Sequence, residues 1–147
     1  MVIKFIICGN QNNGEGNAIP KIKKTRNSYW TPEAQRYAAW KRYVQKAFVK
    51  KIVEATGMEY ALMRDAGSDR VLGDIDINRE KPIEITEGKA RMDLKIYWAD
   101  GKHADPENVF GSIADALFEN DKNLDGSFEA QIAEDGKGRV EATIKII

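Results

Sequence analysis

The stretch Ala90-Arg91-Met92-Asp93-Leu94-Lys95-Ile96-Tyr97-Trp98-Ala99-Asp100-Gly101-Lys102-His103-Ala104-Asp105-Pro106-Glu107-Asn108-Val109-Phe110-Gly111-Ser112-Ile113-Ala114-Asp115-Ala116-Leu117 changes its hydrophobic period once. From Ala90 to Ala99 apolar residues alternate, with Met92, Leu94, Ile96 and Trp98 on one face, as in a half-buried strand. Asp100-Gly101 ends that strand. Asp105-Pro106 then opens a helix, an oxygen acceptor followed by a proline where no N–H is needed. Val109, Ile113, Ala116 and Leu117 line its buried face at helical spacing.

Downstream, Phe128, Ala130 and Ile132 alternate as another strand, Asp135-Gly136-Lys137-Gly138 makes a turn, and Val140 to Ile147 returns as a closing strand. Upstream, Val2 to Cys8 reads as a buried strand, and Gly9 to Asn17 as a loop rich in glycine and asparagine. Ile19 to Asn27 is an extended basic segment. Thr31-Pro32-Glu33 starts a long helix that should run to about Ala55 and stop at Gly57. Its apolar stripe is Tyr37, Trp40, Val44, Ala47, Phe48 and Ile52; Arg36, Lys41, Arg42, Lys46, Lys50 and Lys51 occupy the other side. Residues 57–88 read as loop with short edge strands at Val71-Leu72, Ile75-Asp76-Ile77 and Ile83-Glu84-Ile85. The expected fold is one α/β (α+β) domain over residues 1–147, a mixed sheet of about four strands with two main helices, and 57–88 as an insertion.

Composition bounds the function. With 147 residues, 42% hydrophobic and 31% charged, the chain is long enough to bury a core without staples. No apolar run is long enough for a membrane span, and residues 1–8 lack the basic leader and cleavage site of a signal peptide. The single cysteine, Cys8, excludes an internal disulfide and a cysteine-rich zinc site, and fits a reducing cytoplasm. The single histidine, His103, excludes any site that needs two imidazoles. The 23 basic and 23 acidic residues balance, but residues 1–51 carry a net +9 and residues 52–147 a net −9. A basic half of this kind attracts phosphate backbones, though the two halves can also attract each other within one fold.

Two motifs are discounted. Gly14-Glu15-Gly16 lacks the third glycine and the following helix of a dinucleotide fingerprint. Asp121-Lys122-Asn123-Leu124-Asp125-Gly126 matches half of a calcium loop, but the twelfth position is Ile132 instead of glutamate and the flank alternates like a strand. The informative acids are Asp105 and Glu107, two residues apart where a strand feeds a helix. Helix N-termini favour negative charge, so both acids serve the helix whatever else they do. Asp121, beyond the helix, joins them only if the fold brings it back to the same end of the sheet; oxygen donors of this kind suit Mg²⁺ or Mn²⁺.

These residues carry a resemblance to the RusA-type Holliday junction resolvases, small endonucleases of phage and prophage origin. Asp105-Pro106-Glu107-Asn108 resembles the family's Asp-x-Asp-Asn, with glutamate for the second aspartate. Ile113-Ala114-Asp115-Ala116-Leu117 resembles its next segment, and Asn120-Asp121 its aspartate pair, with asparagine for the first. The upstream order is similar as well: a strand, a basic arm (Pro20-Lys21-Ile22-Lys23-Lys24-Thr25-Arg26), and a long helix with an aromatic-Ala-Ala-Trp-Lys core at Tyr37 to Lys41.

The resemblance implies a Mg²⁺- or Mn²⁺-dependent endonuclease that cleaves branched DNA as a homodimer, in recombination and repair. Asp105, Glu107 and Asp121 would be the metal ligands, and Asn108 a member of the same constellation. Lys21, Lys23, Lys24 and Arg26 would meet DNA. Lys102 and His103 lie beside the motif, where His103 either contacts phosphate or faces solvent as a loop residue. The family also has a lysine four residues after its second acid, where this chain has Gly111. A lysine there would stabilise charge building on the phosphate. Its absence keeps a second reading open, a branched-DNA-binding protein impaired in catalysis. Asp115 reads as structural.

Overall fold

The computed structural model describes residues 2–9, 16–22, 31–56, 75–76, 79–85 and 89–146. Its elements in chain order are β1 (Val2–Cys8), α1 (Pro32–Thr56), β2 (Ala90–Trp98), α2 (Pro106–Leu117), β3 (Leu124–Ile132) and β4 (Arg139–Ile146). The strands form one mixed sheet in the order β1-β4-β2-β3. β4 runs antiparallel to both β1 and β2, while β2 and β3 are parallel and joined through α2. This is the expected class, a single small α+β domain with a four-stranded mixed sheet and two helices.

Both helices cover one face of the sheet. Tyr37, Trp40, Val44, Phe48 and Ile52 of α1 meet Ile3, Phe5 and Ile7 of β1, with Val109, Ile113, Ala116 and Leu117 of α2 in the same core. The Phe48 ring stands edge-on to Phe5 at 5.6 Å. Polar groups drawn into this layer are satisfied. Trp40 Nε1 donates to Ser112 Oγ at 3.0 Å, and Ser112 Oγ donates to the Val109 carbonyl at 2.8 Å. An unpartnered indole or hydroxyl there would cost about 1–3 kcal/mol.

Each helix starts as its residues dictate. Ala34 N donates to Thr31 Oγ1, and Glu107 N donates to Asp105 Oδ1, each with proline at the next position. Gly126 is required by contact: a Cβ there would lie 2.0 Å from the Met92 carbonyl oxygen and 2.9 Å from the Phe110 ring.

Two expectations are corrected. β1 is buried on one side only, since Val2 and Ile6 face outward; an unbroken apolar run concealed the alternation. β3 begins at Leu124, four residues before the expected alternation, because Asp125-Gly126-Ser127 looks like turn but pairs with Arg91-Met92-Asp93. The described part of 57–88 belongs to the core: Ile75, Ile83 and Ile85 are buried, and Ile83 bridges both Ile75 and Phe118. Val71, Leu72 and Ile77 lie outside the described residues, as do Gly14, Glu15, Lys23, Lys24 and Arg26.

Candidate metal and phosphate site

The site is built from the turn between β2 and α2. Asn17 holds that turn from a distant part of the chain. Its Oδ1 accepts from Ala99 N at 2.6 Å, and its Nδ2 donates to Asp100 Oδ1 and to the Lys102 carbonyl, each at 3.1 Å. Asp100 Oδ1 also accepts from Lys102 N at 2.9 Å. The His103 ring lies flat on Trp98, 4.2 Å between centroids, with Nδ1 donating to the Ala104 carbonyl at 2.8 Å. His103 is thus exposed yet fixed, anchored to the last residue of β2.

Beyond this turn Asp105 caps α2 and Glu107 lies in its first turn, both exposed. Asn108 is exposed beside them, and its carbonyl accepts from Lys21 N at 2.9 Å. The chain around Lys21 therefore runs along the start of α2. The Lys21 side chain crosses the surface of Gly111: a Cβ at Gly111 would lie 3.5 Å from Lys21 Cδ and 3.7 Å from Lys21 Cβ. The position where the resemblance expects a lysine is covered by the stem of another one. Asp105, Glu107, Asn108, Lys21, Lys102 and His103 are all gathered at this end of α2.

Asp121 is not among them. It follows the far end of α2, where its carbonyl accepts from Leu124 N and the next residues lead into β3. Twelve helical residues separate the two ends, about 18 Å. Among the described residues no three of His, Cys, Asp and Glu gather as a metal-holding group. One chain thus offers two of the three expected carboxylates together. Two exposed carboxylates still fit a hard cation such as Mg²⁺, which commonly takes one or two carboxylates and completes its shell with water and substrate phosphate.

Asp115 is held quite differently, near the C-terminal end of α2. Its carboxylate accepts from Tyr37 OH at 2.7 Å and pairs with Lys41 at 3.4 Å and Lys81 at 3.3 Å. Burial pushes this carboxyl up, but the Tyr37 hydroxyl and the two ammonium groups outweigh it and hold it at about 2. Burial, with the charge of Asp115, pushes the Tyr37 hydroxyl upward. These contacts tie α1, α2 and the segment around Lys81 together.

A separate groove of about 1150 Å³ lies between α1 and the sheet, lined among others by Lys4, Tyr43, Lys46, Lys50, Lys51 and Phe128. It accounts for part of the basic side of α1 but does not contain Asp105 or Glu107. Among the described residues no helix is long and apolar enough to cross a membrane.

Sequence reasoning missed Asn17 and Asp100. Both had a local signal, an Asx residue next to a turn, but the 82-residue separation of Asn17 from Ala99 hid the clamp. Compared with known proteins, the chain matches no family model and no curated sequence.

Proposed function

We propose that this chain is a metal-dependent endonuclease acting on branched DNA such as four-way junctions, working in recombination or repair in the cytoplasm of a bacterial or phage-infected cell. The observation that carries the reading is the exposed Asp105–Glu107 pair with Asn108 beside it and the Lys21 stem laid over Gly111. Asp105 and Glu107 are the residues that would hold Mg²⁺ or Mn²⁺. When bound, such an ion lowers the pKa of its water and polarises a phosphate, so that hydrolysis needs no protein nucleophile.

The chain's own residues supply the rest. Asp105 Oδ1 is oriented by the Glu107 N–H at 3.2 Å, which leaves its second oxygen to a ligand. Lys21 takes the part of the lysine missing at Gly111, its ammonium offsetting charge on the phosphate. Lys102 and His103, on the clamped turn, meet neighbouring phosphates. The arm residues Lys23, Lys24 and Arg26 extend the same basic segment as Lys21.

The test is a labelled four-way junction and a matching linear duplex, each incubated with Mg²⁺, with Mn²⁺ and with chelator. Paired nicks in the junction alone, lost with chelator, are the expected result. A second reading, a branched-DNA binder without cleavage, is favoured by Gly111 and by the distance of Asp121 from the other acids. It predicts salt-sensitive junction binding and no nicks in any metal. Equal and negligible binding of every DNA form at low salt excludes both.

A further inference from the structure

The turn that carries Lys102 and His103 has little to hold it in place. Asp100, Gly101, Lys102 and His103 are all exposed, and a Cβ at Gly101 would meet nothing within 4 Å. Packing therefore does not fix this stretch. Its internal bonds are short in range: Lys102 N donates to Asp100 Oδ1, and His103 Nδ1 bonds the next carbonyl. The segment around Asn17 is the opposite. Ala18 is 5% exposed, and Ile19 and Ile22 pack against the core. Lys21 N adds a bond to the Asn108 carbonyl on α2.

We propose that Asn17 is a positioning residue for the candidate site, transferring the fixity of this anchored segment to the exposed turn and so setting Lys102 and His103 against Lys21. The side chain is suited to the task. One acceptor takes the Ala99 N–H at 2.6 Å, and two donors meet Asp100 Oδ1 and the Lys102 carbonyl at 3.1 Å each. Aspartate has no donor, and serine or threonine only one, so an amide of this reach is required. Reversing the amide would set donor against the Ala99 N–H, so only one orientation serves. The three bonds span both ends of the turn, from Ala99 to Lys102. Asn17 touches neither metal nor phosphate; it acts through the turn. The clamp is independent of the nuclease reading, while its effect on DNA rests on that reading.

The test uses the full chain with chelator, so that DNA stays whole. His103 is the only histidine, so its imidazole C–H signals stand alone in a proton spectrum, displaced by the Trp98 ring beneath it. Asn17→Ala should bring them at least halfway to the values of a free imidazole, with the melting curve little changed. Should that variant not fold, Asn17→Ser, with one hydroxyl of shorter reach, is read in the same way.

Binding to a labelled four-way junction is then followed from 50 to 200 mM salt. Asn17→Ala removes no charge, yet the logarithmic slope should become shallower by about one phosphate contact. The unsubstituted chain then loses about threefold more affinity than the variant over that range. Lys102→Met should have the same effect, and the double variant no more than either. Asn17→Ala and Lys21→Met should add. An unmoved His103 signal overturns the clamp. A moved signal with an unchanged slope, or additive effects of Asn17→Ala and Lys102→Met, overturns the positioning role. A chain that binds no DNA removes the nuclease reading and the role with it, while the His103 signal still decides the clamp.

Discussion

Helix α2 carries carboxylates at both ends, and they are treated in opposite ways. At its C-terminal end Asp115 is half-buried and engaged by Tyr37, Lys41 and Lys81. At its N-terminal end Asp105 and Glu107 stand in solvent, Asp105 accepting from the Glu107 N–H, with the Lys21 stem a few ångströms along the helix. The difference teaches that exposure and unfilled oxygens, more than the presence of an acid, mark where a cation and a phosphate can be held. An aspartate already surrounded by two ammonium groups has no capacity left for a metal.

The largest effect should come from Asp105→Asn. Asparagine caps a helix about as well as aspartate, so the melting temperature should stay within a few degrees. Metal-dependent nicking of a four-way junction should fall by at least about a hundredfold, roughly 2.7 kcal/mol of barrier. Nicking at the unsubstituted rate would remove Asp105 from the site. Asp115→Ala should do the reverse. It removes the carboxylate that Tyr37, Lys41 and Lys81 share, costing about 1–3 kcal/mol of stability, or a drop in Tm of about 3–10 °C. Cleavage per folded molecule should be unchanged; a selective loss of cleavage would break the contrast between the two ends.

Lys21→Met keeps the stem over Gly111 and removes the charge. A fall in cleavage of about tenfold, with the melting curve unchanged, is expected from losing one cation near the phosphate. Gly111→Lys on that background should recover part of the loss, since a side chain there meets Lys21 only at ordinary contact distance. The smallest effect concerns acid stability. Asp115 is held at about 2 in the folded chain, below its usual 3.8, so its contribution is present above about pH 4 and lost as pH falls toward 2. Denaturant melts of Asp115→Asn should therefore show a shallower loss over that interval. The slope will not vanish, because Asp93 is also held low: burial pushes it up, but Ser127 and Arg91 outweigh that.

The elements themselves were legible where one face is buried and the other wet. The stripe from Tyr37 to Ile52 and the alternation from Met92 to Trp98 state their own period, and the caps at Thr31 and Asp105 state where the helices begin. β1 reads as buried on both sides because Ile6 is apolar on the exposed side, which a pattern of side-chain types cannot distinguish from burial. Half of the candidate site was equally local: Asp105, Glu107 and Asn108 follow one another around a cap. The other half depends on direction. Nothing near Asp121 in sequence says that α2 runs away from Asp105 by its full length, or that Lys21, ninety residues upstream of Gly111, lies across it.

The pairing of β1 with β4 joins Val2 to Lys145 and Cys8 to Arg139. During synthesis β1 therefore leaves the ribosome long before β4, its sheet neighbour among the described residues, exists. Until residues 139–146 emerge, the apolar side of residues 2–8 has α1 to lie against but no strand to bond. Loop closure across almost the whole chain must precede that last pairing, which makes the topology slow to complete. The order of assembly should run from β2, α2 and β3 outward, with the N-terminal strand the last to lock.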